Sequence, residues 1–347
     1  MADRPPKVTF IVLCFNYGRF LKECVESILG QTFEDFELLI MDDSSTDDTP
    51  SISSSIKDKR VVCVRNKINL GLPGNFNRGL QLSRGEIVWA ISADDCLADR
   101  TALGRAIQIF ETHASAGMVW SSAVPFEPGG GKISWCDHGD REFVWRAPTL
   151  AEKLLTHNPV CAPTVVVRRT VFDRIGWWPE NLVFVGDWYF WFRVGFILDA
   201  VYTPEPLAKY RMHSANMTTA YRGPRQHHEA LERLRLRLCM AQFFHGDTPS
   251  ATVTLDLVRQ DLDDIFKRLM DAPFAWHEFD SAIANRFSID APGLPEWPER
   301  DSMLNRICSG AIDNLLREAL KARRPRRALK ALWARRRVRA IFKNRVR

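Results

Sequence analysis

Phe36-Glu37-Leu38-Leu39-Ile40-Met41-Asp42-Asp43-Ser44-Ser45-Thr46-Asp47-Asp48-Thr49 is the stretch on which the fold turns. Five apolar residues, interrupted only by Glu37, run into two adjacent carboxylates. A short apolar run closed by Asp and Ser reads as a buried parallel strand with a polar far end, the place where open α/β sheets form ligand crevices. Thr46 to Thr49 can cap a helix running back. Asp and Ser also serve as plain turn formers, so this junction alone leaves a ligand site and an ordinary turn both open.

Working outward, Val8 to Leu13 is apolar, Cys14 to Gly18 turns, and Phe20, Leu21, Cys24, Val25, Ile28 and Leu29 recur at helical spacing. Downstream come a helix over about 47–56, a strand at Val61 to Val64 and a polar loop, Asn69-Leu70-Gly71-Leu72-Pro73-Gly74. A helix through Phe76, Leu80 and Leu82 leads to the strand Glu86 to Ile91. Four strand-helix units within the first hundred residues predict a doubly wound, mostly parallel α/β sheet. The fourth strand ends in Ser92-Ala93-Asp94-Asp95, a second carboxylate pair at an equivalent strand end. Carboxylates packed together are costly unless a cation or a donor-rich ligand is present. Repetition of the pair therefore favours a ligand site.

Beyond a helix near 101–113 and a strand at Gly117 to Trp120 the rhythm breaks. Pro125 to Asp140, with Gly129-Gly130-Gly131, reads as a mobile hairpin or loop. A helix near 150–156, a strand at 164–168 and a helix at 170–175 follow. Val185-Gly186-Asp187-Trp188-Tyr189-Phe190-Trp191-Phe192-Arg193 suits a helix beginning at Asp187, and Ala208 to His213 ends a short strand. From Gln226 onward the pattern is helical. The tryptophans between Trp177 and Trp191 are expected mostly in the core, with one or two at an acceptor cleft.

The totals fit this plan. In 347 residues, 46% are hydrophobic, enough for a sizeable core in one or two domains. No apolar run nears the roughly 20 residues that span a bilayer, and no signal-peptide pattern precedes the first strand, so the chain is expected in the cytoplasm. Cys14, Cys24, Cys63, Cys96, Cys136, Cys161, Cys239 and Cys308 show no CxxC pair, which suits a reducing compartment. The net charge of +6 comes from the end: residues 321–347 hold 13 Lys or Arg and no acid, leaving 35 basic against 42 acidic residues before them.

The chain resembles the family 2 glycosyltransferases, which have the GT-A fold. The likeness rests on TFIVLCFNYGRFLKECVESILGQTF, FELLIMDDSSTDDT, NLGLPGNFNRGL, the ADD strand end, GDWYFWFR and YRMH, in family order over about residues 7 to 214. It implies inverting transfer of a sugar from a nucleotide-diphosphate donor, with UDP the default, to an acceptor hydroxyl, and a divalent cation, Mn2+ or Mg2+. It implies that Asp43, assisted by Cys14 and Asn16, contacts the base, that Asn69 and Gly71 shape the nucleotide pocket, and that Asp94 binds the ribose. Asp95 would hold the metal, His213 would lie near metal and diphosphate, and Asp187 would be the general base. Arg211 would neutralise phosphate or make a structural ion pair. Many relatives read Asp-x-Asp-Asp where this chain has Ser92, so metal binding is the less secure expectation.

The expected organisation is a GT-A domain over 1–220, with a nucleotide half (1–100) and an acceptor half (101–220), a helical extension (221–322) and a basic tail (323–347). The expected acceptor is a glycan or a lipid-linked saccharide. The tail, with Leu329, Leu332, Trp333, Ile341 and Phe342 among its cations, is expected either to stay solvated or to meet an anionic membrane surface; no nucleic-acid partner is expected. A homo-oligomer is compatible with the helical extension. The rival readings are a polyprenyl-phosphate sugar synthase and a non-catalytic nucleotide-binding scaffold.

Overall fold

The computed structural model describes residues 4–126, 132–180, 182–222 and 226–241, with Phe243, Asp256, Leu257, Gln260, Asp261 and Arg317 beyond them. The glycine tract at 129–131, most of the expected extension and the basic tail lie outside the described residues. The chain divides into two units, 1–214 and 215–347.

The first unit opens with β1 (Val8–Cys14), α1 (Gly18–Leu29), β2 (Phe36–Asp42), α2 (Thr49–Ser55), β3 (Val61–Arg65), α3 (Gly71–Leu82) and β4 (Ile87–Ser92). Every residue of β1 and β2 is buried. Continuous apolar strands of this kind need cover on both faces, which the flanking helices supply. On α1, Leu21, Cys24, Val25 and Ile28 form the buried stripe that the helical spacing predicted. Glu37, the one polar break in β2, is buried yet satisfied. It accepts the Thr9 hydroxyl at 2.7 Å and the Arg84 backbone N–H at 2.9 Å, and pairs with the Arg84 guanidinium at 2.7 Å. Buried charge of this sort persists only when paired.

Next come β5 (Cys96–Leu97), α4 (Ala102–Thr112), β6 (Ala116–Pro125), β7 (Phe143–Trp145), α5 (Thr149–Leu154), β8 (Val166–Arg168), α6 (Thr170–Ile175), α7 (Gly186–Ile197) and β9 (Asp199–Tyr210). The sheet runs β3-β2-β1-β4-β8-β6-β9-β5, with β7 paired to β9 off this path. The first four strands are parallel, and β8 enters antiparallel between β4 and β6. The mostly parallel α/β sheet matches the expected fold class.

Two corrections concern β9. Its end was expected as a short strand reaching His213. Instead it is twelve residues long and stops at Tyr210. The strand contains Pro204 and Pro206, which cannot donate to a ladder, and the structure accommodates them with a register shift against β6 between Ser121 and Ala123. There Ser122 Oγ donates to the Pro204 carbonyl at 3.0 Å and Leu207 N–H donates to Ser121 Oγ at 2.8 Å. Strands β5 and β7, two and three residues long, are too short to carry an alternation signal.

In the second unit, α8 (Met217–Arg222) and α9 (Gln226–Ala241) are described. Leu234, Leu236 and Met240 are buried, and Arg233 pairs with Asp261 at 2.9 Å. Among the described residues no helix is long and apolar enough to cross a membrane.

Candidate active site

β1 lies between β2 and β4, so the two acidic pairs flank one strand. In register, Cys14 faces Asp42 and Leu13 faces Ser92. Asp43 N–H donates to the Cys14 carbonyl at 2.8 Å and Ala93 N–H to the Leu13 carbonyl at 2.9 Å, which brings both acidic turns off the sheet at the same level. Ser44, just past the first pair, has φ +64°, and Asn16 has φ +57°.

The two members of the first pair do different work. Asp42 is consumed by structure: Arg65 donates to its Oδ2 at 2.8 Å and Ser45 N–H to its Oδ1 at 2.9 Å. Asp43, buried, receives Asn66 Nδ2 at 2.6 Å and the Leu70 N–H at 2.8 Å, both on Oδ1. Its Oδ2 has no partner among the described residues. Asn66 is itself held by Asn75 Oδ1 at 2.9 Å and by Arg78, while Asn75 donates to the Met41 carbonyl at 2.9 Å. The loop over Asp43 is shaped by Asn69, whose Oδ1 accepts the Gly71 N–H at 2.9 Å in a tight Asx turn. Gly71 carries φ +73°, a conformation that favours glycine. Cys14 turns its thiol into the core beside Thr49, and burial pushes it up to about 12. Asn16 uses its side-chain oxygen to hold the Thr46 N–H at 2.8 Å. Cys14 and Asn16 therefore shape the turn around Asp43, and contact with a ligand there falls to their backbone or to the Asn16 amide.

The second pair is buried at 4% exposure for each carboxylate. Asp95 Oδ1 accepts the Arg211 backbone N–H at 2.9 Å, and Asp94 Oδ2 lies 3.1 Å from His213 Nε2. Burial, reinforced by the charge of Asp94, drives the Asp95 carboxyl well above its usual range. Tyr17 donates its hydroxyl to Asp94; its own pKa is raised by burial and then by the charges of Asp94 and Asp95. Arg211 engages Glu23 at 2.6 Å and the Asp94 carbonyl at 2.8 Å, so its guanidinium makes the ion pair that was one of its two expected roles.

The two carboxylates offer hard oxygen donors suited to Mg2+ or Mn2+, with an imidazole nearby, and a cation would relieve the charge that burial penalises at Asp95. Among the described residues no three His, Cys, Asp or Glu side chains gather as a closed metal cage. Such a cation would be held by Asp95, with Asp94 and His213 beside it.

Asp187 is the second residue of α7, half-buried, with Oδ1 accepting the Trp188 N–H. Gly186 before it must be glycine: an added Cβ would lie 1.9 Å from Trp178 Nε1. Trp178 and Trp191 are core residues, Trp188 donates to the Leu154 carbonyl at 2.7 Å, and Trp177 is 43% exposed. Cys161 is buried in a small cluster with Cys136 and Ala123. Its thiol is held well above the usual range by its bond with Cys136 and by burial, and Asp95 and Asp187 both add to the rise. Sequence reasoning missed Asn66, Asn75 and Arg78 around Asp43, and Tyr17, Phe20 and Glu23 around His213 and Arg211. The signal for Asn66 was available: it ends β3, the third strand end beside the first pair.

An α/β sheet with acidic strand ends is an architecture on which comparison with known proteins bears directly. Residues 9–176 match the family described as glycosyl transferase family 2. The chain is 28% identical over 225 residues to an uncharacterised glycosyltransferase of Haemophilus influenzae, covering 62% of this chain and 68% of that protein. It is 35% identical over 105 residues to the Escherichia coli UDP-Glc:alpha-D-GlcNAc-diphosphoundecaprenol beta-1,3-glucosyltransferase WfaP, covering 30% of this chain and 41% of WfaP. The crystal structure of S. aureus TarS 1-349 in complex with UDP-GlcNAc superposes with a TM-score of 0.60 at 17% identity, covering 95% of this chain and 91% of that one. Over the matched region the chain belongs to the family 2 glycosyltransferases, and it is a transferase.

Proposed function

We propose that this enzyme moves a sugar from a nucleoside-diphosphate donor, a UDP-sugar, to a hydroxyl of a glycan or lipid-linked saccharide with inversion. The observation that carries the reading is the placement of Asp43 and of Asp94-Asp95 on either side of β1, with one oxygen of Asp43 left for a ligand. An ionised carboxylate only accepts hydrogen bonds, so Asp43 selects a base with a ring N–H, as uracil, thymine and guanine have and cytosine lacks. The UDP-GlcNAc bound by TarS supports uracil among these. Asp94 takes the ribose hydroxyls. Asp95, with Asp94 and His213 beside it, holds a divalent cation, which would offset the charge growing on the departing diphosphate.

Asp187 is the general base. It sits at a helix start, half-buried, and takes the proton of the acceptor hydroxyl as that oxygen attacks the anomeric carbon. The glycosidic bond forms as the bond to the diphosphate breaks. WfaP by its name uses a diphosphoundecaprenol-linked sugar, and the basic segment 321–347 supports a lipid-linked acceptor reached from an anionic membrane surface. Asp187→Asn keeps the shape and removes the base: sugar transfer falls by about 10²-fold or more while UDP affinity is kept. Transfer at the wild-type rate by this variant would sink the assignment of Asp187. Absence of UDP binding by the wild type would sink the donor assignment.

A further inference from the structure

Tyr17, Phe20 and Glu23 are three residues apart, so they lie along one face of the start of α1. All three reach the chain just beyond β9. The Glu23 carboxylate takes the Arg211 guanidinium at 2.6 Å, and that guanidinium lies 4.7 Å from the Phe20 ring centre and 3.3 Å from that of Phe126. The Phe20 ring packs at 4.9 Å against the His213 imidazole, while Tyr17 meets the same imidazole edge-on at 5.7 Å. Arg211 in turn donates its backbone N–H to Asp95 and its Nε to the Asp94 carbonyl, and His213 bonds the Asp94 carboxylate. One helix face therefore fixes both the segment that covers the acidic pair and, through it, the pair itself.

We propose that this α1 face is a positioning clamp, in which Phe20 and Glu23, through Arg211 and His213, hold Asp94 and Asp95 in the arrangement that receives a divalent cation. The proposal rests on the transferase reading above and assigns Arg211 to the acidic pair's framework. A rivet of this kind is consistent with its chemistry: a guanidinium bonded to a carboxylate and a carbonyl and lying over two rings is held at several points at once. Supports behind a metal ligand typically change metal affinity by about 10–100-fold when removed.

The test is calorimetric titration of UDP into the full chain in EDTA and again in Mn2+, for wild type, Glu23→Gln, Phe20→Leu and Phe20→Tyr, with thermal melting of each. Glu23 is 57% exposed, so Glu23→Gln spares the fold and isolates the clamp. Expected are unchanged UDP affinity in EDTA for all four, and a Mn2+-dependent gain in UDP affinity that shrinks about tenfold in Glu23→Gln and Phe20→Leu. Phe20→Tyr, which keeps the ring, should retain the gain. The full Mn2+ gain in both Glu23→Gln and Phe20→Leu would overturn the clamp and leave the transferase reading standing. A wild type that binds UDP with no Mn2+ gain would do the same. A wild type that binds no UDP in either medium would refute the donor assignment, and the clamp with it.

Discussion

Replacing Gly186 with alanine tests the seating of Asp187 by steric contact alone. An ideal Cβ at residue 186 lies 1.9 Å from Trp178 Nε1 and 2.8 Å from both Cδ1 and Cε2. Ordinary contact between such atoms is about 3.5 Å, so indole and helix must part by roughly 1.5 Å. The indole is the less yielding partner. Trp178 exchanges two hydrogen bonds with Asn77, at 2.9 and 3.0 Å, donates through Nε1 to the Leu182 carbonyl at 3.3 Å, and packs between Phe76 and Phe190. The start of α7 therefore moves, and Asp187 moves with it. Overpacking of this kind costs about 1–3 kcal/mol, and a pinned ring argues for the upper end. In a domain of this size 1 kcal/mol lowers Tm by about 2–4 °C, so a fall of about 6–12 °C is expected. Misplacing the base by about 1 Å costs about 10²-fold in kcat. The nucleotide pocket at Asp43 is built from other elements, so UDP affinity should change by less than about threefold. Thermal melting, UDP calorimetry and the rate of UDP release from the sugar nucleotide measure the three quantities. A variant with wild-type Tm and wild-type rate would show that α7 does not depend on this contact for its position.

Asp43→Asn keeps the oxygen that holds Asn66 and Leu70 and replaces the other with an NH2 that opposes a base N–H; UDP affinity should drop about 10²-fold by calorimetry, with Tm little changed. Hydrogen bonds from Arg60 hold Asp58 down at about 2, against an ordinary 3.8. A lowered carboxylate stabilises the fold fully above its unfolded pKa and loses that contribution as pH falls through the folded one, so Asp58→Asn should cost about 1 kcal/mol at pH 7 after solvent screening. In urea unfolding the gap should narrow from pH 4 downward; a gap that widens there would refute the assignment. Of the cysteines described, only Cys63 is exposed, and burial raises Cys14 to about 12 and Cys96 to about 11. An aromatic disulfide reagent should therefore label Cys63 on the folded protein before Cys14, Cys24, Cys96, Cys136, Cys161 and Cys239, which should wait until denaturant is added, as site-resolved mass spectrometry would show.

Much of the nucleotide half was legible because β1, β2 and most of β4 are buried and read as nearly continuous apolar runs, each closed by polar residues. β1, β2 and β4 fall where those runs fall, and the two carboxylate pairs fall at their ends. What local pattern could not separate was Asp42 from Asp43. The difference is an ion pair with Arg65, 23 residues away, and a cradle from Asn66 and the Leu70 backbone, neither of which leaves a periodic trace. The contact between Arg211 and Glu23 spans 188 residues and is likewise set by topology. In the acceptor half the misreading of β9 has a local cause, since two prolines imitate a strand break that the bulge against β6 absorbs.

Ala93-Asp94-Asp95 is all the chain between β4, which belongs to the parallel sheet, and β5, which pairs with β9 at the sheet's other end. Both ends of the link are tied by backbone hydrogen bonds, Ala93 N–H to Leu13 at 2.9 Å and Ala98 N–H to Leu207 at 3.0 Å. The three residues fold into one tight turn, closed by Asp95 N–H on the Ser92 carbonyl at 3.0 Å, so the link between the two fixed points has a set length. In a lineage free to lengthen its loops, insertions will accumulate in the segment between β6 and β7 and be purged here, because one added residue would rotate the second carboxylate away from the first. The spacing of the pair is in this sense a length standard built into the chain, against which the recognition loops on either side can change.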